Sequence, residues 1–227
     1  KAWHLDVSDQ WLGESFAEYF SGLAMGALAA NDKTVVGFHR MLAEWRADDD
    51  LCADVAPISM ANNLGGEKGW QERRCLLYSR GPLVLHMLRT SIGNDRFNAA
   101  TRKFLDTANT GPATTDDYAK AVSDVVQMDM HWFFDQWVRK TGNAQVDVEQ
   151  HLDAAPNGQF RLWGVMRQAP GDGFRKLLIP LVWDNGGKPE ARVVFADQPE
   201  KKFEFLLPAK HGTIKPDPFE NNLATYK

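Results

Sequence analysis

Apolar residues recur at intervals of three and four through the first 142 residues, and at intervals of two in several later stretches. The first period is that of a helix with one buried face, the second that of a half-buried strand. Helices are predicted over residues 14–30, 33–47, 72–92, 95–108, 116–126 and 130–140. Asp129 stands as an N-cap before Met130, and Thr114 with Asp117 three residues on reads as a capping box. The stretch 48–71, with Asn62-Asn63-Leu64-Gly65-Gly66, reads as a long loop, and loops of that length inside a domain usually serve function.

From Ala144 onward alternation takes over. Val146, Val148 and Leu152 alternate with Asp147, Glu149 and His151, and Phe203 and Phe205 with Lys202 and Glu204. Asp184-Asn185-Gly186-Gly187, between the apolar runs 177–183 and 191–196, marks a hairpin, and Pro180 confines its own strand to an edge or a bulge. Five or more antiparallel strands are expected. Helices followed by strands, with no alternation of the two, predict an α+β multidomain chain: an all-α part followed by a small antiparallel β-sandwich. The boundary falls near Gly142, a natural helix C-cap, giving parts 1–142 and 143–227.

The chain has 227 residues, 44% of them hydrophobic, enough for a substantial core. Its 26 basic and 30 acidic side chains give a net charge of −4, which argues against nucleic acid as a partner. Residues 1–142 hold 15 basic and 19 acidic side chains against 11 and 11 in the remainder, so the net charge lies in the helical part. No run approaches the roughly 18 apolar residues of a membrane-crossing helix, so a soluble chain with no membrane span is expected. Cys52 and Cys75, 23 apart and in no C-x-x-C spacing, suit neither a disulfide framework nor a thiolate metal site. A single bridge is open to them, but two buried free thiols are the favoured reading, and the compartment stays open.

Two segments carry candidate chemistry. Glu14 opens an aromatic-rich helix in Trp11-Leu12-Gly13-Glu14-Ser15-Phe16-Ala17-Glu18-Tyr19-Phe20. Alone, it would be a carboxylate favoured by the positive end of the helix dipole. Tyr78 lies in Tyr78-Ser79-Arg80-Gly81-Pro82-Leu83-Val84-Leu85-His86-Met87-Leu88, where Pro82 would kink the helix and Gly81 would permit a close helix contact.

In order and together, these segments resemble the zinc aminopeptidases of the aminopeptidase N and leukotriene hydrolase type. That family places a Glu in a W-L-x-E-G-F-A-x-Y segment after H-E-x-x-H; residues 11–19 reproduce it with Ser15 for Gly. Its Y-x-K-G and V-L-x-M-L segments are matched by residues 78–81 and 84–88, with Arg80 for Lys. Phe133-Phe134-Asp135-Gln136-Trp137-Val138 followed by Gly142 is similar to the close of the family's catalytic domain, and residues 144–227, with Asp217-Pro218, to its β-sandwich. The resemblance implies the C-terminal helical half of a thermolysin-like catalytic domain in 1–142, Glu14 as a zinc ligand and Tyr78 as the catalytic tyrosine.

At the family's spacing the two zinc-binding histidines, the general-base glutamate and the Gly-rich segment that recognises the substrate's amine would precede residue 1. The expectation is therefore the C-terminal fragment of a zinc aminopeptidase, its partners a peptide substrate and the upstream portion of the same protein, and inactive alone. The alternative is a catalytically dead relative acting as a scaffold or protein-binding module, and a weaker reading has the sandwich bind a carbohydrate or peptide by itself. His4, ten before Glu14, is on the wrong spacing to replace a ligand. Ser15 is small enough to be tolerated, whereas Arg80 keeps the lysine's charge but not its geometry. Glu18 reads as a solvated face or an acceptor behind the ligand, His86 as a packing residue and Asp48-Asp49-Asp50 as a solvated acidic turn. Trp132, Phe133, Phe134 and Trp137 read as a stripe that packs the core or the contact with the sandwich. Loss of an upstream helix would leave an apolar face around Trp11 and Phe16 sticky.

Overall fold

The computed structural model describes residues 7–31, 37–108, 113–185, 187–208 and 212–227; His4 and Gly186 lie outside them. The chain divides into two compact units, Lys1–Gly142 and Asn143–Lys227.

The first unit is helical: α1 (Trp11–Ala29), α2 (Phe38–Cys52), α3 (Gly66–Cys75), α4 (Gly81–Ile92), α5 (Asn94–Ala108), α6 (Thr115–Val126) and α7 (His131–Trp137). Short 3₁₀ turns occupy Val7–Asp9 and Ile58–Asn63, and a π turn, Leu76–Arg80, joins α3 to α4. Each helix expected from the sequence is present, with shifted ends. The expected start of the second, at Lys33, lies outside the described residues. The capping box holds α6: Thr114 Oγ1 accepts the Asp117 N–H at 3.1 Å and the Asp117 carboxylate accepts the Thr114 N–H at 2.9 Å. Met130, not Asp129, occupies the cap position of α7, yet Asp129 Oδ1 accepts the His131 N–H at 3.0 Å and so satisfies a first-turn donor.

The core gathers on ring contacts among Phe16, Phe104, Tyr118 and Phe134, with centroids 5.1 to 5.4 Å apart around Tyr118. Trp11 and Phe16 are themselves buried, at 1% and 6% exposure, while Phe16, Ala17 and Phe20 line a largely apolar groove with Leu105 of α5, so an apolar face does lie beside Phe16. Phe133, Phe134 and Trp137 are buried as expected.

The long loop expected over 48–71 is mostly ordered into helix: α2 runs on through Cys52, and α3 begins at Gly66. The buried positions of α2 are Leu42, Trp45, Asp49 and Cys52, so the acidic run continues the helical stripe rather than turning away from it. Cys52 and Cys75 form a disulfide, with Cα atoms 6.2 Å apart, in place of the favoured free thiols. Sequence separation carries no distance; α2 and α3 pack so that both cysteines end on one seam.

The second unit holds a four-stranded sheet in the order β5-β2-β1-β7 and a three-stranded sheet in the order β4-β3-β6. Its strands are β1 (Ala144–Ala154), β2 (Phe160–Arg167), β3 (Leu177–Asn185), β4 (Lys188–Ala196), β5 (Glu200–Leu207), β6 (Lys215–Pro216) and β7 (Ala224–Tyr226). All pairings are antiparallel except that of β1 with the short β7. The expected hairpin joins β3 to β4, with Asn185 opposite Lys188. Pro180, however, sits in the central strand of its sheet, in register with Val193. A residue's N–H and C=O point to the same side of a strand, and the Pro180 carbonyl accepts the Asp217 N–H at 2.7 Å, on the side of the two-residue β6. The missing donor therefore faces the short partner, and the β3–β4 ladder loses nothing.

Candidate active site

Glu14 lies in the first turn of α1, and the start of that helix is fixed by buried polar contacts. The Trp11 indole donates to Thr115 Oγ1 at 2.9 Å, and Asp9 Oδ1 accepts the Thr115 N–H at 2.8 Å and its hydroxyl at 2.6 Å. These bonds tie the N-termini of α1 and α6 together and set the direction in which Glu14 projects. Glu14 itself is exposed.

Tyr78 lies in the π turn, whose cause is local. Pro82 has no N–H, and in a regular α-helix its ring would strike the carbonyl four residues back. The chain takes up one extra residue instead, with the Gly81 N–H bonding to Leu76 O, as in the π-bulges frequent at functional sites. Leu77 O then has neither of its helical donors, Gly81 being engaged and Pro82 having none. Ser15 Oγ supplies the bond at 2.7 Å. A Cβ on Gly81 would stand 1.9 Å from Ser15 Oγ, so Gly81 does allow the close α1–α4 contact expected of it.

The neighbours of Tyr78 are pinned inward. Ser79 Oγ donates to Asp48 Oδ2 at 2.9 Å, and Arg80 donates through Nη1 to Asp49 Oδ1 at 2.7 Å and through Nη2 to Gly142 O at 2.8 Å. Arg80 and Asp49 are buried. The acidic turn expected to be solvated is a helical segment in which Asp48 and Asp50 are exposed and Asp49 is buried; it holds the tyrosine's stretch of chain, and Arg80 does no substrate binding from where it lies. Cys75, three residues before Tyr78, is tied by the disulfide to α2. Tyr78 alone in this stretch points out, 38% exposed.

The two candidates meet: Tyr78 Oη donates to Glu14 Oε2 at 2.5 Å across 64 residues of sequence. That acceptor holds the phenol above the ordinary tyrosine range, helped by desolvation and opposed by the charge of Arg73. Glu14 Oε1 accepts no hydrogen bond among the described residues. Both side chains line a cleft of about 650 Å³ with Glu18, Asp48, Trp70 and Arg73 among its walls. Glu18 accepts the Trp45 indole N–H at 3.2 Å, and His86 is a buried packing residue with Nδ1 3.3 Å from the Tyr19 hydroxyl. Trp70, Arg73 and Arg74 carry no signal in the sequence, for they stand where the expected loop meets the expected helix and match no motif. Asp49 had a signal, its place on the stripe of Leu42, Trp45 and Cys52.

A carboxylate with an open oxygen in a cleft suits a metal ligand. Among the described residues no group of three or more His, Cys, Asp or Glu side chains is placed to hold a metal ion, so Glu14 fits as one ligand and not as a whole site. Among the same residues no helix is long and apolar enough to cross a membrane.

The peptidase family M1 domain matches residues 3–137. Aminopeptidase N of Lactobacillus helveticus is 27% identical over 63% of this chain, and a glutamyl aminopeptidase of Bitis rhinoceros is 26% identical over 85% of it. The chain spans 17% and 20% of the lengths of these two relatives. A crystal structure of Legionella pneumophila aminopeptidase A in complex with aspartic acid shares the fold over 67% of this chain and 18% of that one, with a TM-score of 0.53 at 21% identity.

Proposed function

We propose, since the chain belongs to peptidase family M1, that it is the part of a zinc aminopeptidase that supplies one metal ligand, Glu14, and one catalytic hydroxyl, Tyr78. The supporting observation is the 2.5 Å hydrogen bond that joins these two side chains in one cleft. On this reading residues 1–142 are the C-terminal helical part of the catalytic domain and 143–227 its β-sandwich. The two histidine ligands and the general-base glutamate come from a segment before residue 1, and the chain by itself does not hydrolyse peptides.

Zinc bound in such a site supplies Lewis acidity and brings a bound water to a pKa of about 7. Glu14 would be one of the residues that hold the metal. Tyr78 keeps its proton and, giving up its bond to Glu14, donates a hydrogen bond to the oxygen that gains charge as the scissile carbonyl becomes tetrahedral. The pinned π turn fixes the stretch of chain that carries the ring, so the change needed is a swing of the O–H from Glu14 to the substrate oxygen.

The test is the zinc content of the complete protein, purified without added metal, beside that of its Glu14→Ala variant. About one zinc per chain in the parent, sharply reduced in the variant, is expected. No zinc in either would make the family likeness architectural and turn attention to partner binding.

A further inference from the structure

The charges around the cleft divide by element. Its acids come from α1 and α2, and each already has a partner. Glu14 accepts from Tyr78, Glu18 from Trp45, and Asp48 from Ser79, while Glu44 pairs with Arg40 at 3.0 Å. Its bases, Arg73 and Arg74, come from the last turn of α3, and neither makes a hydrogen bond or ion pair among the described residues. The usual account of arginines in a last turn is that they face the negative end of the helix. Here the helix does not end: α3, the π turn and α4 run on from Gly66 to Ile92, so the carbonyls beside Arg73 and Arg74 are not an open terminus.

Arg73 is half-buried and Arg74 exposed, and both line the cleft that Tyr78 and Glu14 line. Trp70, one turn earlier, lines the same cleft with 55% of its surface exposed. A guanidinium presents its N–H groups in a planar fork that fits a carboxylate with two parallel bonds. Two such forks in a concave wall, uncommitted to the protein's own acids, form an anion-recognising surface.

We propose that Arg73 and Arg74 bind a carboxylate of the substrate, so that the cleft selects peptides carrying one close to the scissile bond. The inference deepens the aminopeptidase reading and rests on it. The carboxylate has two possible sources with one chemistry: the C-terminus of a very short peptide, or an acidic first side chain.

The test uses the complete protein and three dipeptides made hydrolysis-resistant by an N-methylated peptide bond: leucyl-alanine as the free acid, its C-terminal amide, and glutamyl-alanine amide. Binding is read by calorimetry or by quenching of tryptophan fluorescence. At least one carboxylate probe is expected to bind ~10-fold or more tightly than the neutral amide, in line with a charge-assisted bidentate pair. That advantage should fall to within about threefold in Arg73→Gln/Arg74→Gln and be only partly kept by Arg73→Lys, whose ammonium lacks the fork. The probe that carries the advantage identifies the source. Equal affinity for all three probes, or an advantage that survives the double glutamine variant, overturns the assignment. Turnover of leucine and glutamate arylamides and of unmethylated leucyl-alanine is measured in parallel. Absence of turnover of all three would remove the aminopeptidase reading, whereas turnover of any with no affinity difference would remove the arginine assignment alone.

Discussion

Tyr78 owes its position to bonds made by its neighbours in the chain. Ser79, Arg80 and the disulfide hold the chain on either side of it, while its own ring packs little and remains 38% exposed. Tyr78→Phe removes a hydroxyl but no buried contact. In the zinc-loaded complete protein it should lower kcat by about 10²- to 10³-fold, the usual cost of one oxyanion donor, with stability changed by no more than about 0.5 kcal/mol. Turnover near that of the parent would take Tyr78 out of the mechanism. Asp49→Ala has the opposite profile. It leaves the Arg80 guanidinium buried with its ionic partner gone, and should cost about 3 to 5 kcal/mol in a urea melt. A loss below about 1 kcal/mol would mean that Arg80 escapes to water. At this scale Glu14 and Tyr78 were legible because residue types at fixed spacings carry the family likeness. The duty of Arg80 was not, since a charged residue in a motif looks the same whether it meets substrate or a buried aspartate.

Among the elements, the legible ones were those with a period. Helices α1, α2 and α5 to α7 and the longer strands each bury one stripe or one face, and alternation or threefold and fourfold recurrence reveals that directly, while α4 is buried continuously from Gly81 to Leu88. Helix α3 has no stripe: Gly69 is its only buried residue. It is helical because it leads into the buried run of α4, a cause outside its own sequence, and with it went the arginine wall of the cleft and the distance between the cysteines. The π turn was half legible, since Gly81-Pro82 announces a disturbance but not its form. Its fit against α1 can be tested as a pair. Gly81→Ala should cost about 1 to 3 kcal/mol because its new Cβ meets Ser15. Ser15→Gly should cost about 1 kcal/mol or more by leaving Leu77 O without its donor. In the double variant the clash is gone, so the two losses should fall short of additive by at least about 0.5 kcal/mol in a double-mutant cycle. Strict additivity would show that the contact yields without strain.

For the whole molecule the two units have separate cores, and each holds a phenol with a desolvated hydroxyl, on a fully buried residue at Tyr118 and a half-buried one at Tyr226. In the helical unit Tyr118 is fully buried, its hydroxyl 3.3 Å from Thr101 Oγ1. In the β unit Tyr226 lies against Asn222 Nδ2 at 3.3 Å and the buried Asp217 carboxylate at 3.5 Å. Burial drives both phenols far above the ordinary tyrosine value, and for Tyr226 the negative charge of Asp217 adds to it. The sign of the consequence follows from linkage. An unfolded tyrosine loses its proton near pH 10, whereas these two keep theirs while folded, so above that pH the unfolded chain binds fewer protons and is favoured. The stability tied to the shifts is intact below about pH 10 and is lost as pH rises beyond it. In a spectrophotometric titration, absorbance from Tyr118 and Tyr226 should therefore appear together with loss of the far-ultraviolet signal of the unit that holds each. Tyr118→Phe should move the alkaline midpoint of the helical unit upward, and Tyr226→Phe that of the β unit, each leaving the other's midpoint in place. Ionisation of all four tyrosines near pH 10 with secondary structure intact would show that neither interior excludes hydroxide as its packing implies.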